Sequence, residues 1–185
     1  MSNKKDQRKR LKTLLSSISD LDHHEQSLKL SLNLKKFLSD QRVIQENLVI
    51  GVFAPIQKEP IWNLLIEEIK IQTAYPAYVE EKMIFKLARM SELVASQDFG
   101  VEILGPAMKA AIVVPDIILV PGLGFTKDGK RIGRGKGFYD RYLVSSTAVK
   151  VGIAFDQQIE DSIPTEEHDQ LMDFVVTDKC IYKKS

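Results

Sequence analysis

Cysteine, tryptophan, histidine and net charge are all scarce in this chain. One cysteine, Cys180, among 185 residues excludes an internal disulfide and fits a reducing compartment. It stands beside Ile181 and Tyr182 and is expected to pack rather than to react. Of the three histidines, His23 and His24 are expected at the surface near a helix start, and His168 lacks a cysteine or second histidine spaced for zinc. Lys and Arg total 26 against 25 Asp and Glu, so no nucleic acid or membrane is expected as partner. No apolar run approaches the roughly 20 residues of a membrane helix. The basic N-terminus is not followed by the apolar stretch of a secretory signal. A cytoplasmic protein is expected.

What is present is 44% hydrophobic and 28% charged, enough core for a single domain over residues 1–185. Residues 4–18 place Leu11, Leu14, Leu15 and Ile18 at helical spacing, and residues 27–38 predict a second helix despite alternating leucines. Short apolar runs at 48–53, 116–120, 149–155 and 174–177 read as buried strands. Two more are expected, one over 71–77 stopped at Pro76, the other where Met83, Phe85 and Leu87 alternate. A helix is expected from Pro60, with Ile61, Leu64, Leu65 and Ile69 on one face, and another from Phe138 to Val144. Strands alternating with helices predict an α/β fold: a single-domain, three-layer, Rossmann-like sandwich with a largely parallel sheet.

Six of the ten glycines lie in residues 121–143, PGLGFTKDGKRIGRGKGFYDRYL. Lys127-Asp-Gly-Lys130 is a turn, and beyond it Gly133, Gly135 and Gly137 alternate with Arg134 and Lys136. Glycines let backbone N–H groups approach phosphate oxygens, and a helix start adds further donors. Arg131, Arg134 and Lys136 bring full charges, and Asp140 could hold a magnesium ion against the same phosphates. The pattern is neither a Walker loop nor a dinucleotide fingerprint. A glycine-rich hairpin with solvated basic side chains is the alternative.

The stretches Pro121-Gly-Leu-Gly-Phe and Gly129-Lys-Arg-Ile-Gly-Arg-Gly-Lys-Gly-Phe-Tyr-Asp140 resemble the 5-formyltetrahydrofolate cyclo-ligase family, or methenyltetrahydrofolate synthetases. The resemblance covers most of the chain. It implies an ATP-dependent cyclisation of 5-formyltetrahydrofolate to 5,10-methenyltetrahydrofolate, releasing ADP and phosphate through a phosphorylated formyl intermediate. It implies ATP contacts at Lys4, Lys5, Asp6, Gln7 and Arg8, and at Arg131, Ile132, Gly133, Arg134, Gly135, Lys136, Gly137, Phe138 and Tyr139. Folate contacts are implied at Arg8, Ala54 and Glu59, and again at Arg134, Gly135, Lys136, Gly137 and Phe138. Asp140 and Asp169 match its Mg2+ ligands, and Lys136 and Arg134 would carry the catalytic charge. A monomer is expected. Thr126 stands where family members often have Asp, and residues 99–106 are two longer than usual and lack a Glu-Pro pair.

Without the resemblance, Glu59 reads as an exposed acid before a helix, Asp169 as a turn cap, and Lys4 with Arg8 as a charged face one turn apart. Trp62 and Tyr78 are core residues by default. Two other readings stay open: a non-enzymatic relative binding RNA or protein, and a phosphoryl-transfer enzyme acting on a small carboxylic acid or sugar.

Overall fold

The computed structural model describes residues 3–41, 48–66, 71–80, 82–98, 101–166 and 169–184. Helix α1 (Lys4–Ser16) opens on Asn3, whose side chain accepts the Lys5 N–H, and α2 (Asp20–Asp40) opens on Ser19, which accepts the Asp22 N–H. Such caps satisfy donors that a helix start leaves unpaired, each worth about 1 kcal/mol. The 27–38 stretch is helical because leucines at 30, 34 and 38 also fall on one helical face, and all three are buried.

The sheet runs β12 (Ile181–Lys183), β11 (Phe174–Val176), β10 (Val149–Ile153), β7 (Ile117–Pro121), β1 (Val49–Gly51), β2 (Gln72–Val79), β3 (Lys82–Leu87), β6 (Ile112–Val113). From β11 to β2 the pairings are parallel; β12, β3 and β6 join antiparallel at the two edges. Two short hairpins stand apart, β4 (Val94–Asp98) with β5 (Val101–Gly105) and β8 (Gly124–Phe125) with β9 (Arg131–Ile132). The α/β class, the three layers and the parallel centre are as the alternation of elements predicts.

Alternate residues of β7 serve opposite layers. Ile117 and Leu119 pack with Leu11, Leu15, Leu30, Leu34 and Phe37 of α1 and α2. Ile118 and Val120 pack with Phe125, Phe85 and Leu143, the last from the short helix α3 (Phe138–Leu143). Burying such a side chain contributes roughly 1.5–3 kcal/mol, so β7 is a central anchor of both layers.

Three expectations are corrected. β2 does not stop at Pro76 but continues to Val79. The Ala74 carbonyl accepts the Val52 N–H, on the β1 side, so by period two the Pro76 nitrogen faces that same side, beyond the end of β1. No ladder bond is lost there. Residues 62–66 form turns rather than a helix after Pro60: the Leu65 N–H, which a helix would pair with the Ile61 carbonyl, donates instead to the Ser31 hydroxyl of α2, and the Ile61 N–H donates to Ser27. Ile69 lies outside the described residues. Cys180 is exposed, not packed.

Candidate functional site

The strand order reverses between β1 and β7: the chain leaves β1 for β2 on one side, while β7 leads to β10 and β11 on the other. Open parallel sheets hold ligands at the carboxyl ends of strands at such a point. A cleft of about 600 Å3 lies there, bordered by Phe53 and Ala54 after β1 and by Pro121 and Gly122 at the end of β7.

The glycine loop forms one wall, with Arg131, Gly133, Arg134, Gly135, Lys136 and Tyr139 all lining the cleft. Gly135 has φ +99° and Gly137 φ +67°, conformations that other residues adopt at a cost, and Gly137 caps the start of α3. That helix has only six residues, so its dipole adds less than the loop glycines and charges. Arg131 is pinned by Asp140 at 2.7 Å and by the Pro121 carbonyl at 3.2 Å. Its Nε, like the Tyr139 hydroxyl, is buried with no protein partner beside the cleft, and burial pushes the Tyr139 pKa well up. Lys136 stands exposed.

Helix α1 supplies a row of cations one turn apart. Lys4, Arg8 and Lys12 all line the cleft, and Arg8 Nε donates to the Gly133 carbonyl at 3.0 Å. Lys12 was missed by the sequence reading, although its i+8 spacing from Lys4 was the available signal. Lys5 and Asp6 are exposed and do not line the cleft. Gln7 is buried instead, donating to the Glu160 carboxylate and the Ser162 carbonyl and so docking α1. Lys4 pairs with Asp169 at 2.7 Å and Glu166 at 3.1 Å. Burial works against its charge, yet these carboxylates hold its pKa above the ordinary value.

Glu59 stands on the other wall, only 6% exposed. Its Oε2 accepts the Ile56 N–H at 3.1 Å, and its Oε1 accepts the Arg134 Nε–H at 3.0 Å, with Arg134 Nη2 in ion-pair contact at 3.0 Å. Burial raises its pKa more than Arg134 and the Ile56 N–H lower it. Ala54 and Tyr78 line the same wall, and Tyr78 packs on Phe138 with ring centroids 4.7 Å apart. Trp62 is core, its indole N–H donating to the Phe53 carbonyl at 2.8 Å. His23 is buried rather than superficial, its Nε2 2.9 Å from the Glu59 carbonyl.

Asp140 and Asp169 both border the cleft, each already facing a cation of the protein. Two carboxylates are a donor set that suits magnesium, which takes one or two of them and completes its shell with water and phosphate oxygens. Among the described residues no cluster of three or more such side chains forms a self-sufficient metal cage.

A model of the 5-formyltetrahydrofolate cyclo-ligase family matches residues 1–178. The chain belongs to this family. It is 51% identical over 67 residues to mouse 5-formyltetrahydrofolate cyclo-ligase, a stretch spanning 33% of each chain and so about a third of that relative's length. To the Mycoplasma pneumoniae 5-formyltetrahydrofolate cyclo-ligase it is 25% identical over 178 residues, 93% of this chain and 96% of the relative. Its fold is that of the Aquifex aeolicus 5,10-methenyltetrahydrofolate synthetase, with a TM-score of 0.82 at 24% identity over 98% of this chain and 92% of the other.

The two departures from the family pattern fall in different places. Thr126 is buried outside the cleft lining, where its hydroxyl donates to Asp128 and accepts the Lys130 N–H to close the β8–β9 turn. The 99–106 segment does reach the cleft, through Ile103 and Leu104 of β5, while residues 99 and 100 lie outside the described part.

Proposed function

We propose that the cleft binds ATP and 5-formyltetrahydrofolate together and transfers the γ-phosphoryl group to the formyl oxygen. The observation that carries this reading is that the glycine loop and the buried carboxylate of Glu59 share one cleft and are joined through Arg134. An N-formyl carbon is a poor electrophile, and its oxygen a poor leaving group. Phosphorylating that oxygen, with ADP as leaving group, addresses both: N10 then attacks the activated carbon and gives up its proton, phosphate departs with the oxygen, and the five-membered ring closes as 5,10-methenyltetrahydrofolate.

Phosphoryl transfer asks the protein for alignment and charge, not for a covalent nucleophile. The N–H groups between Gly133 and Gly137, with Lys4, Arg8 and Arg131, hold the polyphosphate, and the free Arg131 Nε–H suits an anionic oxygen. Lys136, exposed on a loop that can approach substrate, steadies the migrating phosphoryl group, with Arg134 beside it. Asp140 and Asp169 would hold magnesium, which when bound neutralises phosphate charge. On the other wall, a carboxylate offers about four lone-pair sites. Ile56 and Arg134 do not exhaust those of Glu59, which leaves room for the paired donors of an amino-pyrimidinone edge. Tyr78 and Phe138 give the pterin an aromatic surface.

Supplying 5-formyltetrahydrofolate with magnesium and ATP should produce the absorbance of methenyltetrahydrofolate. No such absorbance at saturating ligands would refute the reading.

A further inference from the structure

Helix α2 lies behind the Glu59 wall and presents an unusual buried face to it. His23, Ser27 and Ser31, spaced four apart, all point polar groups at residues 59–65, and both serines are fully buried. Ser27 accepts the Ile61 N–H at 3.1 Å and Ser31 the Leu65 N–H at 2.8 Å. The third rung differs in sense: His23 Nε2 meets the Glu59 carbonyl at 2.9 Å. A carbonyl only accepts, so Nε2 carries the proton.

We infer that His23 is a positioning residue for folate binding, acting through Glu59. The inference rests on the proposed function and extends it to a residue outside the cleft lining. The Glu59 carboxylate is fixed by a short circuit, because its own N–H donates to the Ile56 carbonyl while its Oε2 accepts the Ile56 N–H. That circuit closes within the 56–59 turn, so bonds from other elements place the turn as a whole. Arg134 reaches the carboxylate from the glycine loop, on the cleft side. The bond to Glu59 from behind the cleft is that of His23, which sits on a 21-residue helix with its ring edge-on to the buried Phe155, centroids 5.4 Å apart. Lys58 adds a tether to the helix start through Asp20, but Asp20 is fully exposed and its pairing screened. The imidazole therefore anchors the Glu59 backbone from behind the cleft, while Arg134 holds the carboxylate from the glycine-loop side.

The test compares His23→Leu, which removes the donor, with His23→Gln, which restores one. Quenching of the single tryptophan, Trp62, by 5-formyltetrahydrofolate reads folate affinity, and steady-state kinetics read both Michaelis constants. Loss of one positioning hydrogen bond should raise the Kd and KM for folate about tenfold in His23→Leu, leave KM for ATP within about twofold, and be largely reversed in His23→Gln. Unchanged folate affinity, an equal loss for both ligands, or a glutamine variant no better than leucine would overturn the inference. If His23→Leu does not fold, imidazole nitrogen resonances of the wild-type protein decide: an Nε2–H tautomer shifted by folate and not by ATP is expected, and a ring indifferent to folate overturns it. Wild-type protein that fails to bind folate at all would instead sink the proposed function, and this inference with it.

Discussion

On the glycine-loop wall several cations gather at different depths, from exposed Lys136 through half-buried Arg8 to Lys4 and Arg131, which are paired with Asp169 and Asp140. On the Glu59 wall the charge is buried, hydrogen-bonded on both oxygens and backed by α2. The first wall suits a ligand that carries its own large charge and is met by several cations at once. The second suits a ligand recognised by the shape of its hydrogen-bonding edge, for which a fixed acceptor saves ordering cost on binding. Arg134 is the one described side chain that forms an ion pair from the first wall to the second.

If the walls divide the work in this way, substitutions should separate by wall. Lys136→Ala should lower kcat on the order of a hundredfold, with a smaller rise in KM for ATP and little change in melting temperature. Wild-type turnover in that variant would reduce Lys136 to a solvated charge and pass the role to Arg134 or Arg131. Glu59→Ala should weaken folate binding by roughly 2 kcal/mol, about thirtyfold, by titration. It should also cost ATP affinity a few-fold, because Arg134 loses its partner, so complete independence of the two ligands is not expected. An equal loss for both would merge the walls.

A smaller effect is expected at Gly135. A Cβ there would meet only ordinary contacts with Arg8, at 3.7 Å or more, so Gly135→Ala tests backbone strain at φ +99° alone. It should cost about 1 kcal/mol, or roughly 2–4 °C in melting temperature, and weaken ATP more than folate. The smallest effect concerns pH. Because burial raises the Glu59 pKa from its ordinary 4.5, the unfolded chain releases that proton before the folded one as pH rises. The wild type should therefore lose stability relative to Glu59→Gln as pH climbs through the window above 4.5, and the difference should be flat below it. Urea melts of the two proteins across that window would show it, and an opposite slope would mean that Arg134 outweighs burial.

The same contrast decides what could be read from the sequence. The glycine loop was legible because its information is local: alternate glycines, interleaved bases and a strand before them. Strand β7 was legible as a continuous apolar run for the same reason. The Glu59 wall was not. Nothing near residue 59 reveals that α2, some 30 residues earlier, buries it, that His23 points inward, or that Ser31 takes the Leu65 N–H a helix after Pro60 would have used. The continuation of β2 through Pro76 likewise depends on where a neighbouring strand ends. Only the family resemblance marked Glu59 and Asp169 as more than a surface acid and a turn cap.

The proposed mechanism turns on where the formyl oxygen goes. With 5-formyltetrahydrofolate carrying 18O in its formyl group, a single turnover with magnesium and ATP should place the label in inorganic phosphate, one labelled oxygen per methenyltetrahydrofolate formed. Label released into water, with unlabelled phosphate, would show that the oxygen leaves without being phosphorylated and would contradict the mechanism assigned to the two walls.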